Sequence, residues 1–182
     1  MSKSRDLFEI KKRNAVIKGI GSYAPERILT NKFFNDLLGE DVDTWLRENL
    51  TIKERRWCDQ DQSTADLCVE AAKNALSDAS LSADDIDLLI VATDTPEYIS
   101  PSTASVVQYR LNALNAGTFD VNTACAGFVT ALNIGSKFII ADEKYKNVLV
   151  IGAYAMSKYL DLTDKKNSYT FCRRCGCGCS FG

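Results

Sequence analysis

Asp120-Val121-Asn122-Thr123-Ala124-Cys125-Ala126-Gly127-Phe128 decides how this chain is read. Residues 117–122 (GTFDVN) form a short strand-like run into it. Residues 125–141 (CAGFVTALNIGSKFIIA), apolar nearly all round, lead out of it. A helix of that character is expected to be buried rather than amphipathic. Cys125 thus stands at a strand-to-helix junction. A helix's first turn presents free N–H groups and about half a positive charge, and both favour thiolate over thiol. The same N–H groups can stabilise an oxyanion forming on an attacked thioester. Ala124, Ala126 and Gly127 keep the surroundings small enough for an acyl group to approach. The competing reading makes Cys125 a small buried apolar residue, as unpaired cysteines often are. Spacing alone leaves both open.

The flanking pattern is that of an α/β layer. Residues 86–93 (IDLLIVAT) and 147–152 (NVLVIG) are apolar on both faces, as strands of a covered parallel sheet are. Residues 14–21 (NAVIKGIG) read as a first strand running into a turn at 21–25 (GSYAP). The clearest helix spans 63–79, with Ser63 as cap and Asp66 three residues on, a variant of the capping box. Cys68, Ala71, Ala72, Ala75, Leu76 and Ala79 lie along one stripe of it, which places Cys68 in the core. Short helical pieces are expected within 32–50, the second starting near Asp43-Thr44. Another helix is expected at about 102–112. Strands alternating with helices indicate βαβ units and a mostly parallel mixed sheet covered by helices.

Bulk properties narrow the classes. The 182 residues carry a net charge of −2, with 46% apolar and 25% charged residues, an ordinary globular composition. No basic excess points to nucleic acid. Lys3, Arg5, Lys11, Lys12 and Arg13 are expected in a solvated N-terminal tail, 1–13. No apolar run is long enough to suggest a membrane span, and no secretory signal is apparent, so the expected location is cytoplasmic. The chain has no histidine, which limits acid–base chemistry within it.

The stretch D-V-N-T-A-C-A-G-F resembles the nucleophile motif of the 3-oxoacyl-[acyl-carrier-protein] synthase III family. Residues 19–26 (GIGSYAPE) are similar to that family's opening strand and turn, and 51–56 (TIKERR) to its G-I-x-E-R-x element. Val91-Ala92-Thr93 and Pro101-Ser102 fall where it has a strand end and a P-S helix start. Residues 161–164 (DLTD) resemble its D-x-T-D loop. The resemblance covers about residues 14–171 in the expected order. It implies the N-terminal βαβ half of a thiolase-like fold, in which two similar halves pack together, usually in a homodimer. It further implies an acyltransferase. An acyl-CoA primer acylates Cys125, malonyl-acyl-carrier protein decarboxylates, and the carbanion attacks the acyl-cysteine. No cofactor or metal is implied beyond the CoA thioester substrate, and no nucleic acid or membrane partner.

The family's other two catalytic groups, a histidine and an asparagine, come from its C-terminal half. Trp45 matches a tryptophan that stacks on the CoA adenine; read without the resemblance, it is equally a core aromatic. Lys158 stands where many members have an arginine near the CoA entrance, its plain reading being a solvated lysine. Asn49 replaces a second CoA-contacting arginine of some members. Ser100 replaces a bulky residue that often borders the acyl pocket. Other thiolase-fold enzymes share such a cysteine, namely 3-hydroxy-3-methylglutaryl-CoA synthases and secondary-metabolite acyltransferases.

Residues 172–182 (CRRCGCGCSFG) break the pattern. Cys172, Cys175, Cys177 and Cys179 offer four soft ligands, so a non-catalytic metal-binding fragment is one reading. The other is a one-base frame slip after Phe171. Shifted codons beginning with G permit Ala-Asp-Gly-Ala-Gly-Ala-Val-Ala-Val-Leu, similar to the family's D-G-A-G-A-V strand-turn. On that reading the chain is a truncated form, unable to condense alone and prone to association through an uncovered apolar face.

Overall fold

A computed structural model describes residues 13–164 and 180–181. The strands are β1 (Ser22–Tyr23), β2 (Ile28–Thr30), β3 (Glu54–Arg56), β4 (Leu88–Ala92), β5 (Gly117–Val121), β6 (Val148–Gly152) and β7 (Ser180–Phe181). The helices are α1 (Asn31–Leu38), α2 (Asp43–Leu50), α3 (Thr64–Ala79), α4 (Thr103–Leu111) and α5 (Gly127–Ala141).

The main sheet has the order β1-β7-β6-β4-β5. β4 runs parallel to β5 and β6, and β7 runs antiparallel to β6 and β1. Every residue of β4 is buried, as the pattern of a central covered strand demands. Alternation splits its neighbours between two layers. Leu89, Val91, Leu149 and Ile151 pack with Cys68, Ala72 and Leu76 of α3 and with Ala104 and Val107 of α4. Leu88, Ile90, Ala92 and Val150 pack with Ala131 and Leu132 of α5. The fold is α/β, a mostly parallel mixed sheet covered by helices on both faces.

The start of α3 follows its local code. Ser63 Oγ accepts from the Asp66 N–H, and Asp66 returns the bond to the Ser63 N–H, closing a full capping box. Cys68 is fully buried. The small stripe lets backbone meet backbone, because a Cβ on Gly21 would lie 2.2 Å from the Ala75 nitrogen. Between β1 and α3 the chain leaves the sheet. There α1, α2 and the antiparallel β2–β3 pair that brackets them enclose their own cluster of Leu29, Phe34, Val42, Leu46 and Trp57.

Four expectations are corrected. Among the described residues, 14–21 pair in no ladder; they run alongside α3, and the two-residue β1 lies where the turn was expected. Their alternation is strand-like, but strand status requires a hydrogen-bonded neighbour. Arg13 is not part of a loose tail: its guanidinium donates to the carbonyls of Asp142 (2.7 Å) and Tyr145 (3.0 Å). The helix after Cys125 is not buried all round. Only Gly127, Ala131 and Gly135 of α5 are buried, while Val129 and Ile140 are 69% and 44% exposed. Finally, residues Ala124–Ala141 are one helical run of 18 residues, long and apolar enough by length and composition to cross a membrane. Its line of small residues lies against β4 and β6, as a core helix of a layered fold does.

Candidate active site

Because β4, β5 and β6 are mutually parallel, their C-terminal ends open on one edge of the sheet. Open α/β sheets place ligands at that edge. Three connections emerge there: 93–102 after β4, 122–126 after β5, and 153–158 after β6. Backbone bonds tie them together, from Thr93 N–H to the Val121 carbonyl (3.1 Å) and from Ala153 N–H to the Ala92 carbonyl (2.9 Å). Thr95 joins the next layer: its Oγ1 accepts from the Ala155 N–H at 2.9 Å, and its carbonyl accepts from Thr64 Oγ1.

Cys125 lies in a 3-10 turn, Ala124–Ala126, that leads into α5. Its thiol is free and exposed. It precedes the first α-helical residue by two positions, so the junction is a tight turn followed by the helix. Asn122 Oδ1 accepts the Ala124 N–H at 3.2 Å, a side-chain turn of the kind asparagine favours. Ala124 itself holds a left-handed φ of 46°. The Ala126 N–H bonds the Thr123 carbonyl at 3.2 Å, and Thr123 Oγ1 donates to Thr130 Oγ1 at 3.3 Å. Gly127 admits the close approach of α5 to the sheet, since a Cβ there would lie 3.3 Å from Ala92 Cβ. At the far side of the junction the Asp120 carboxylate accepts the Thr103 and Ala104 N–H groups, each at 2.7 Å. It thereby caps α4 and anchors the strand that carries the cysteine. The roles of Asn122 and Asp120 were not singled out from sequence, although Asn-Thr-Ala after a strand is a usable turn signal.

Trp45 is 38% exposed on α2, neither a core aromatic nor fully free. Its carbonyl accepts from the Asn49 side-chain amide at 2.9 Å. Lys158 is not simply solvated: its ammonium donates to the carbonyls of Asp59 (3.3 Å) and Gln60 (2.7 Å). The two residues belong to one subassembly, because Leu46 of α2 shares an apolar cluster with Met156, Leu160 and Leu162. Cys125 stands on a separate connection at the same sheet edge.

A buried polar network fixes α2. Asn31 Nδ2 donates to Asp43 Oδ1 (2.7 Å), and Arg55, 1% exposed, donates to Asn31 Oδ1 (2.8 Å) while its guanidinium lies over the Phe34 ring. Hydrogen bonds from Asn31 and then Arg47 hold the Asp43 carboxyl below its ordinary value. Asp161 is likewise lowered by the Thr163 hydroxyl and N–H, which close the 161–164 loop. Among the described residues no three His, Cys, Asp or Glu side chains gather as metal ligands. The four tail cysteines, Cys172 to Cys179, lie outside the described residues.

Comparison with known proteins agrees with this geometry. The family model for 3-oxoacyl-[acyl-carrier-protein (ACP)] synthase III matches residues 119–179. The chain is 46% identical over 157 residues to the β-ketoacyl-[acyl-carrier-protein] synthase III of Caldanaerobacter subterraneus subsp. tengcongensis, covering 86% of this chain and 47% of that protein. It is 42% identical over 155 residues to the same enzyme of Xanthomonas campestris pv. campestris, again with 47% of that protein covered. The chain thus spans about half the length of the curated relatives it matches. Its structure resembles 3-oxoacyl-[acyl-carrier-protein] synthase III from Aquifex aeolicus, with a TM-score of 0.81, 38% identity, and 93% and 52% of the two chains covered. The priming β-ketosynthase of the R1128 polyketide pathway superposes with a TM-score of 0.84 at 29% identity, covering 93% and 49%. In sequence and in fold, this chain is similar to 3-oxoacyl-[acyl-carrier-protein] synthase III over about half of that enzyme's length.

Proposed function

We propose that this chain is the acyl-accepting half of a condensing acyltransferase, in which Cys125 takes an acyl group from an acyl-CoA primer. The observation that supports it most is an exposed thiol in a turn directly ahead of a helix N-terminus, at the C-terminal edge of a parallel sheet. Thioester exchange needs a group that is both a good nucleophile and a good leaving group, and a thiolate is both. The thiolate attacks the primer carbonyl, N–H groups of the first α5 turn are the donors at hand for the oxyanion, and CoA leaves as the thiolate, which takes a proton from water. The second stage, decarboxylation of malonyl-acyl-carrier protein and attack on the acyl-cysteine, calls on the histidine and asparagine of the family's other half. This chain contains no histidine. The expected activity of the 182-residue chain is therefore acylation without condensation. The full enzyme is read as a cytoplasmic homodimer with no nucleic acid or membrane partner.

The test is incubation with a radiolabelled acyl-CoA. Label is expected on the chain and absent in Cys125→Ser. Labelling of Cys125→Ser, or none of the parent, overturns the reading for this chain. The likeness to a polyketide priming ketosynthase favours one second reading, a secondary-metabolite primer, and a panel of acyl-CoA chain lengths separates the two.

A further inference from the structure

The 93–102 connection, between β4 and α4, is strapped at both ends to the strand that leads to Cys125. At its start the Thr93 N–H bonds the Val121 carbonyl at 3.1 Å. At its end the Asp120 carboxylate holds the Thr103 and Ala104 N–H groups. β4 and β5 are neighbours, with Ala92 beside Val121, so Thr93 and Asn122 leave the sheet about 5 Å apart. The connection thus rises next to the turn of Cys125, and whatever fixes its course fixes one wall of that site.

Its first part is pinned from three sides. Thr95 takes bonds from Thr64 of α3 and from Ala155 after β6. The Pro96 carbonyl accepts from the Tyr159 hydroxyl. The Glu97 carboxylate accepts from Arg110 of α4, Nη2 to Oε1, at 3.0 Å. After Glu97 the exposed tip begins, with Tyr98 half exposed and Ile99 fully so. Glu97 therefore stands at the boundary between the pinned part and the tip. Arg110 is shared between two elements. Its Nη1 donates to Asp66 Oδ1 at 2.9 Å and to Ser63 Oγ at 3.1 Å, the two residues of the α3 capping box. A planar guanidinium fork suits that double duty, and a lysine ammonium lacks the fork. The Glu97 side chain is only 14% exposed, so its charge depends on the cation beside it, because a carboxylate left out of water and unpaired is costly. Without Arg110, Glu97 is driven toward water and takes the connection with it.

We propose that Arg110 is a positioning residue for acylation of Cys125: acting through Glu97, it holds the 93–102 connection as a fixed apolar-tipped wall against which the primer's acyl chain is placed. The proposal rests on the reading that Cys125 takes an acyl group from acyl-CoA. Arg110 acts on the placing of the primer and not on bond-making. Its loss therefore shows in the primer concentration needed and not in the limiting rate.

The experiment follows labelling of the 182-residue chain by radiolabelled acetyl-CoA and butyryl-CoA over a range of concentrations, giving a half-saturating concentration and a limiting rate. Hydrogen exchange of a peptide spanning 94–101 reads the connection, and alkylation by iodoacetamide reads the thiol alone. Arg110→Gln is expected to raise the half-saturating concentration roughly tenfold and to keep the limiting rate within about twofold. It is also expected to quicken exchange in 94–101 and to leave alkylation unchanged. Arg110→Gln with Glu97→Gln leaves no charge to expel and is expected to recover most of the parent's half-saturation; an arginine needed only for stability would not be rescued by removing its partner. Arg110→Lys keeps a cation beside Glu97 without the fork, and is expected to fold as the parent does and to show the same rise at smaller size. Arg110 variants with the parent's half-saturation and exchange overturn the proposal, and so does a double variant no better than Arg110→Gln. A parent that takes no label overturns the reading of Cys125 itself, and the proposal falls with it.

Discussion

At the scale of the residue, the exposed thiol depends on a turn that bends the chain sharply between β5 and α5. Ala124 is held at positive φ, which costs a non-glycine residue about 1 kcal/mol or more. The Asn122 side-chain oxygen Oδ1 accepts that residue's N–H. Asn122→Ala removes the bond, and a loss of about 1 kcal/mol is expected, together with slower acylation of Cys125 in the labelling assay. Asn122→Asp keeps an acceptor and is expected to restore both. Equal acylation rates in all three proteins would show that the turn does not position the thiol. The place of Cys125 at a strand-to-helix junction was legible from the sequence because the segments on either side of it are patterned. Asn122 and Asp120 were not, because their partners are backbone N–H groups. Such bonds leave no periodic trace.

At the scale of the element, the legible parts were those whose stabilisation is local or periodic. The α3 cap and stripe, the two doubly apolar strands and the cysteine junction all fall within a residue or two of their expected bounds. The antiparallel β2–β3 pair escaped because three-residue strands are too short to show alternation and two helices separate them in sequence. Residues 14–21 were overread because a strand's partner can be remote in sequence. That segment makes a sharp prediction through Gly21. A Cβ there would meet Ala75 N at 2.2 Å and Ala71 O at 2.5 Å, both backbone atoms of a rigid helix. Gly21→Ala is expected to cost about 3 kcal/mol, near the upper range for overpacking, measured by denaturant unfolding; a cost below about 1 kcal/mol would mean that segment and helix are loosely docked. The α1–α2 region carries a pH dependence. Asp43 is held below its ordinary value by Asn31 and then Arg47, and Asp41 by Thr44. A lowered folded pKa means stability present above the unfolded value and lost as pH falls through the folded one. Acid is thus expected to loosen α2 and its Trp45, seen as a change in tryptophan fluorescence. Asp43→Asn is expected to flatten that acid limb while lowering stability near neutrality. An unchanged acid limb in this variant would remove Asp43 from the account.

At the scale of the whole molecule, α5 explains both what the sequence conveyed and what it misjudged. Its all-round apolar character asks for burial on every side, yet the described residues supply only one covering face, where Gly127, Ala131 and Gly135 meet the sheet. The opposite side, with Val129 at 69% and Ile140 at 44% exposure, stands open. Relatives about twice this length, and a family resemblance that implies two similar halves, make that side the natural seat of a second half. Exposed apolar side chains contribute little to folding a lone half but promote association between copies. Val129→Asp and Ile140→Lys together are therefore expected to leave the melting temperature of the 182-residue chain nearly unchanged and to shift it toward monomer in size-exclusion chromatography with light scattering. The same pair placed in a full-length relative is expected to destabilise it strongly, because a buried unpaired charge costs several kcal/mol. If the pair instead unfolds the 182-residue chain, α5 is already covered in solution. If the full-length relative tolerates it, the second half packs elsewhere.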